Sequence, residues 1–419
     1  MTQPATGPHV GPGKGAATAD AVIVGGGTVG AWCAYFLRRA GLDRVVVVEQ
    51  DTLGCGASSR AAGIVRTQGG TEWAVRLGEW SRRFYLRQRD ELGIDSGFVP
   101  QGYLLPCFTQ ADVAAARDRI AMQNAAGISV RWLDPAELEE LNPTFAQGVA
   151  IGGAFCAEDG YLNPPRNVTA YAVALAVTAV EVREHVSFTG LATSAGRVSG
   201  VQTSAGRISA PLIVLTGGPQ LARVGRLAGI RIPVGGVRHQ VAVTQPHPDF
   251  GPGRLPMVFD LANGLYWRPE EGGLLFGMSN PDEEPGIAQE VDWPYLEQIR
   301  ARLADLVPAT RGLGLRKVWA ATIDFTPDHL PIIGQAISDD GPIPGVTVAA
   351  AGGHGMMWGP AVSRVAADLA LTGGTDLLDI TDLGLDRFDA EGRSRLATDS
   401  VALPFPLETA PSAAAVSAD

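Results

Sequence analysis

The stretch "AVIVGGGTVGAWCAYFLRRAGLDRVVVVEQ", residues 21–50, decides the fold. An apolar run, Ala21–Val24, enters Gly25-x-Gly27-x-x-Gly30. A helical stretch follows to Ala40 and stops at Gly41, and a second apolar run, Val45–Val48, ends in Glu49. Strand, glycine turn, helix and strand in that order make a loop shaped to lie against a dinucleotide. The first glycine permits the tight turn and the second lets backbone approach a pyrophosphate. The third lets the helix pack closely on the strand, and the helix N-terminus favours the anion. Thr28, Val29 and Gln50 belong to the same cradle. Glu49 stands 19 residues past Gly30, about where an acid meets a ribose diol. An acid there disfavours a 2′-phosphate, so NADP is the least expected of NAD, FAD and NADP.

The chain has 419 residues, enough for two or three domains' worth of core. Its 33 basic and 44 acidic residues leave a net charge of −11, which argues against nucleic acid or an anionic membrane as partner. No apolar run approaches the ~18–20 residues that span a bilayer. Residues 1–19 lack the apolar core of a signal peptide and read as a disordered lead-in, as does the tail 398–419. "GPGKG" near the start is a false P-loop, because Gly15 follows Lys14 where Ser or Thr is needed. Four scattered cysteines, Cys33, Cys55, Cys107 and Cys156, form no CxxC and read as free thiols in a reducing, cytoplasmic compartment. The six histidines form no HxH or HExxH pair, so no metal site is expected. GxSxG and SxxK are also missing, which removes the common nucleophilic hydrolases.

After Glu49 the chain does not enter another simple βαβ unit, as an NAD domain would. It enters a loop rich in small residues, then a helical stretch over 71–92. Residues 111–125 and 135–141 read as helices, the latter capped by Asp134 with Pro135 in its first turn. "EDGYLNPPRNV" reads as a loop feeding a helix over 168–180. Short strand-like runs follow, and residues 238–278 read as an antiparallel sheet punctuated by Pro, Gly and Asn. A helix over 294–306 precedes "KVWAATIDFTPDHLPIIG". The chain then returns to a buried strand, a glycine turn, Pro360 at a helix start and Gly373 at its stop.

Three features favour FAD over NAD. Only one GxGxxG is present. The small-residue loop offers a second backbone surface to an extended cofactor. The 352–360 turn offers N–H groups and a positive helix end to a flat ring that gains negative charge on reduction. On these residues the chain resembles the D-amino-acid oxidase/sarcosine oxidase family of flavoproteins, especially its sarcosine oxidase β-subunit and dimethylglycine dehydrogenase branch. The matching segments run in order over about 20–390. They are the opening signature, "GASSRAAGIVR", "DGYLNPPRNV", "APLIVLTGG", "GLYWRPEEGG", "DFTPDHLPIIG" and "GGHGMMWGPAVSRVAADLALTG".

The resemblance implies an α/β (α+β) fold with a Rossmann-like, glutathione-reductase-like FAD-binding domain. That domain is discontinuous, over 20–90, 150–235 and 325–395. An antiparallel-sheet substrate domain takes 91–149 and 236–324. It also implies oxidation of an amine or amino-acid C–N bond to an imine, with hydride passing to the flavin. Ser58, Ser59, Arg60, Ala62, Gly63 and Ile64 of the small-residue loop would then line the cofactor. So would Val186, Thr216, Gly217, Gly353, His354, Gly355, Met356 and Met357.

By the same resemblance Arg66 falls where relatives place an arginine for a substrate carboxylate. Tyr266 and Arg268 sit on the substrate-side strand facing the flavin, and as i and i+2 both could enter one pocket. His239 and His354 complete the candidate catalytic set. The competing readings are surface ion pairs for the two arginines, a satisfied core histidine for His239, a backbone role for His354, and packing for the two methionines.

Relatives that tether flavin use a cysteine before "TPD" or a histidine in the small-residue loop. Here Ala321 and Arg60 stand there, so FAD is expected to be non-covalent. Met357 replaces a lysine of some oxidases, which permits a bulkier or less acidic amine. Tyr266 falls where fast-reacting oxidases carry a lysine. A dye, quinone or protein acceptor is therefore expected over oxygen. Two other readings stay open: the FAD subunit of a hetero-oligomer, and a non-catalytic, FAD-stabilised assembly factor.

Overall fold

A computed structural model describes residues 17–251 and 255–398. The expected disorder of the two termini lies outside the described residues, except at its inner edge. There Ala17–Thr18 form a strand, paired in parallel with Ile208 and Ser209, so the ordered chain starts before residue 20.

A six-stranded sheet carries the cradle. Its order is Ile332–Ser338, Gly341–Ala350, Leu212–Leu215, Ala21–Val24, Val45–Val48, Glu181–Arg183. Every pairing is parallel except the hairpin at the first edge. The central strands are buried on both faces, which is why "AVIV" and "VVVV" are continuous apolar runs and do not alternate. Helix Thr28–Arg39 follows the glycine turn and packs against the late helix Gly359–Thr372, whose start carries Pro360 and whose stop is Gly373 at φ +76°. The first and last thirds of the chain thus meet on one sheet.

The substrate-side sheet has eight strands, in the order Leu315–Phe325, Gly235–Thr244, Gly273–Met278, Leu265–Glu270, Met257–Asp260, Tyr103–Cys107, Gly152–Cys156, Val130–Leu133. It is antiparallel as expected, apart from the parallel pair Met257–Asp260 with Tyr103–Cys107. Gly152–Cys156 belongs to this sheet, beyond the boundary expected at 150. A four-stranded sheet of Phe188–Ser194, Arg197–Thr203, Gly206–Ser209 and Ala17–Thr18 completes the α/β fold.

Helices Glu72–Leu92, Gln110–Ala125, Pro135–Leu141 and Trp293–Leu306 fall where the periodicity places them. The expected 168–180 helix runs instead over Pro164–Val177. Asn163 caps it by accepting from the Arg166 N–H at 3.0 Å, and two prolines occupy the first turn, where their missing N–H costs nothing. The small-residue loop also holds an unexpected short helix, Ala57–Arg60.

Candidate active site

The two sheets enclose a long cavity. At one end it is lined by Gly25, Gly27, Thr28, Val29, Gly30, Glu49 and Gln50. Helix Thr28–Arg39 opens there with no side-chain cap on Gly27, and Ser58 Oγ accepts from the Thr28 N–H at 2.9 Å. Gly30 has no alternative: a Cβ there would lie 1.9 Å from the Gly25 carbonyl oxygen. Glu49 Oε2 accepts from the Gly26 N–H at 2.7 Å and Oε1 from the Asp51 N–H at 2.9 Å. The carboxylate therefore closes the turn while still lining the cavity. Thr216 Oγ1 donates to the Val24 carbonyl at 2.6 Å and ties the neighbouring strand to the same turn.

At the other end the wall is built from the small-residue loop, the late glycine turn and the eight-stranded sheet. Arg60, Ala62, Gly63, Ile64 and Arg66 face Gly353, His354, Gly355, Met356 and Met357. Gly63 sits at φ +81° with a would-be Cβ 2.1 Å from the Leu162 carbonyl, so only glycine lets the loop pass. Tyr85 Oη donates to the Met356 carbonyl at 2.8 Å and fixes the late turn. His354 Nδ1 donates to the Gly352 carbonyl at 2.9 Å, which leaves Nε2 as an acceptor. Burial, with Arg66 and His329 nearby, pulls His354 down to about 3, so it is neutral at working pH.

From the eight-stranded sheet come His239 and Tyr266. His239 Nε2 lies 2.7 Å from Tyr266 Oη and Nδ1 lies 2.9 Å from Ser279 Oγ. Burial pulls the imidazole down to about 4 and pushes the Tyr266 phenol up, so both are uncharged. The Arg66 guanidinium is buried, with its carbon 5.7 Å from the Tyr103 ring centre and 5.8 Å from that of Phe259.

Three expected residues do not line the cavity. Arg268 shares a strand face with Tyr266 but stands two residues further on, about 6.8 Å along the strand. There Nε donates to the Ala62 carbonyl at 3.0 Å, Nη1 pairs with Glu270, and the guanidinium covers the Tyr161 ring at 4.3 Å. It braces the small-residue loop from outside the cavity. Ser59 turns back toward the Gly56 carbonyl, at 3.4 Å, inside the short helix. Val186 buttresses the cradle through its backbone, donating to the Glu49 carbonyl at 2.9 Å.

Conversely, Tyr103, Phe259, Gln289, Thr322 and Asp324 line the cavity and were not anticipated. Asp324 left a signal, since a lone acid inside the apolar run "ATIDF" asks for a buried partner. Burial pushes its carboxyl up, while N–H groups of Gly352 and Gly353 donate to it. Tyr103 and Phe259 left none. Among the described residues no cluster could hold a metal ion, and no helix is long and apolar enough to cross a membrane.

A dinucleotide cradle at one end of a cavity and a neutral, buried imidazole–phenol wall at the other have the form of a flavin-binding site. The chain belongs to the FAD dependent oxidoreductase family, DAO, whose model matches residues 20–369. It is 27% identical over 385 residues to the 4-methylaminobutanoate oxidase (formaldehyde-forming) of Paenarthrobacter nicotinovorans, covering 89% of this chain and 46% of that one. It is 24% identical over 376 residues to sarcosine oxidase subunit beta of Rhodobacter capsulatus, covering 88% of each. Among solved structures, L-proline dehydrogenase from P. horikoshii matches with a TM-score of 0.80 at 26% identity, over 86% of this chain and 96% of that one. The chain spans less than half the length of the first curated relatives it matches.

FAD is the cofactor of this family, and the residues present fit it. Glu49 suits the ribose diol, the uncapped helix start at Thr28 suits the pyrophosphate, and the wall around Gly63 and Gly353 suits a flat ring.

Proposed function

We propose that the chain oxidises a C–N bond of a secondary or tertiary amine, or of an amino acid, to an imine. The observation that carries this reading is the uncharged His239–Tyr266 pair on one cavity wall with Arg66. An amine reaches the protein mainly as an ammonium ion, which has no lone pair to drive C–H cleavage. A buried wall of neutral groups beside the Arg66 cation disfavours that ion and lowers the amine's pKa. Tyr266 Oη, held by His239, can accept a hydrogen bond from the amine N–H and orient the neutral nitrogen. Arg66 takes an anionic group of the substrate and orients the carbon. Bound FAD supplies the two-electron acceptor.

Ala321 is not on the cavity wall and Arg60 is no nucleophile. Cys55 is on the wall, but burial pushes its thiol up and keeps it unreactive. These features support non-covalent FAD. Tyr266 carries no charge and Arg268 is turned away, which supports a dye, quinone or protein acceptor over oxygen. We assign the cofactor side to 20–90, 157–235 and 325–395 and the substrate side to 91–156 and 236–324, following the strands of each sheet. Four free cysteines support a cytoplasmic setting.

A second reading, a flavin-carrying subunit, is favoured by the 88% mutual coverage with a protein named as a subunit. Anaerobic mixing of the FAD-loaded protein with N-methyl amines, N-methyl amino acids and cyclic amino acids tests the main proposal. Loss of the flavin's visible absorbance is expected with at least one compound. No bleaching by any of them, alone or with a co-purifying chain, would overturn it.

A further inference from the structure

We propose that Asp159 is the internal counter-charge of Arg66, a positioning residue that shares the guanidinium with the substrate's anionic group. The inference rests on Arg66 as the anion anchor and adds what stands behind it. Asp159 is fully buried and does not line the cavity. It follows strand Gly152–Cys156 and precedes Gly160–Tyr161, which pairs with Ile64–Val65 immediately before Arg66. Its Oδ1 accepts from the Thr67 N–H at 2.9 Å and the Thr67 hydroxyl at 2.7 Å. Its Oδ2 accepts from Gln68 Nε2 at 3.5 Å, and the same nitrogen donates to the Tyr103 carbonyl at 3.0 Å. The carboxylate thus pins the two residues after Arg66 and the strand whose Tyr103 ring lies under the guanidinium.

The charges nearby divide cleanly. Arg82 on helix Glu72–Leu92 also reaches Asp159 electrostatically, but it is already matched by Glu79 at 2.7 Å and Glu158 at 2.9 Å. Arg66 also acts on Asp159. Facing groups that could compete are neutral. Burial pushes Cys156 up to about 12 and the Tyr103 phenol higher still, and His354 is held at about 3.

Burial holds the Asp159 carboxyl up at about 6, against the opposing pull of Thr67, Arg66 and Gln68. When an anion docks on Arg66 from the cavity, part of that pull is cancelled. Asp159 then gains proton affinity, and docking draws a proton from solvent. The sign is fixed: anion affinity falls as pH rises above about 6, and Kd approaches a tenfold increase per pH unit where coupling is complete.

Calorimetric titration of the FAD-loaded protein with sodium propanoate tests this, at pH 7 in two buffers of different protonation enthalpy. Uptake of a large fraction of one proton per propanoate is expected. Asp159→Asn keeps an oxygen for Thr67 but loses the charge. It is expected to abolish the uptake, flatten Kd against pH, and tighten propanoate several-fold at pH 8. If Asp159→Asn does not fold, the buffer dependence of the unaltered protein decides alone. Propanoate binding that Arg66→Gln removes, but that takes up no proton, overturns the role of Asp159 and leaves the anion anchor standing. No propanoate binding to the unaltered protein overturns both.

Discussion

Replacing Glu49 by Gln probes the cradle at its most polar point. The carboxylate accepts the Gly26 and Asp51 N–H groups at 2.7 and 2.9 Å while lining the cavity. Gln has one carbonyl oxygen. It can keep one of these N–H groups, but its NH₂ then meets the other donor to donor. Those losses weigh on the apoprotein and the complex alike; what FAD itself loses is a charged acceptor for the ribose hydroxyls, replaced by a neutral amide, about 1.5–3 kcal/mol. The Kd for FAD should rise about ten- to two-hundred-fold. Titrating apoprotein with FAD, followed by flavin fluorescence, measures it. Riboflavin 5′-phosphate, which lacks the adenosine ribose, serves as the control and should lose far less. A rise under about threefold, or equal losses for both flavins, refutes the assignment of Glu49 to the ribose.

Three buried histidines make the fold acid-sensitive. His239 and His329 are held at about 4 and His354 at about 3, below the 6.5 of an unfolded chain. Only the unfolded state takes these protons, whereas Asp159, held up at about 6, takes one in the folded state over the same window, so stability is full above about 6.5 and falls by up to about 3 kcal/mol per pH unit toward 4; a Tm that is flat over pH 6.5–4.5 would contradict this. Arg268→Ala should cost about 1.5–3 kcal/mol of stability with little change in KM. Arg66→Gln should do the reverse, raising KM for an acidic substrate about ten- to two-hundred-fold, and thermal melts beside steady-state kinetics separate them. Acid precipitation should release all yellow colour to the supernatant; colour in the pellet would show a covalent link. Stopped-flow reoxidation of the reduced protein should be slower with oxygen than with a quinone, and fast oxygen consumption would refute the argument from Tyr266.

The cradle was legible because its information is local: three glycines, an acid and two apolar runs lie within residues 21–50. The parallel sheet followed, since a doubly buried run such as "VVVV" needs neighbours on both sides. The distant wall was only half legible. A period of two says that Arg268 and Tyr266 share a face, but not where along the strand the cavity ends. Ser59 stands off the cavity because a short helix, Ala57–Arg60, gives its hydroxyl a local partner, which the loop's composition did not signal. Pro164 and Pro165 read as loop, yet a capping Asn163 made them a first turn. Tyr103 and Phe259 reach the cavity through strand pairings across more than 150 residues, which no local pattern encodes.

The six-stranded sheet also sets when the protein can acquire its cofactor. Strand Ala21–Val24 leaves the ribosome long before its neighbour Leu212–Leu215 and the next strand, Gly341–Ala350. Until then the nascent glycine turn has an open sheet edge on that side and nothing opposite it. The late turn at 352–357 and the helix behind it close the cavity last. The cofactor cavity is therefore complete only once residue 357 has been made, and a chain stalled before residue 340 would expose apolar strands that only the missing segment can cover.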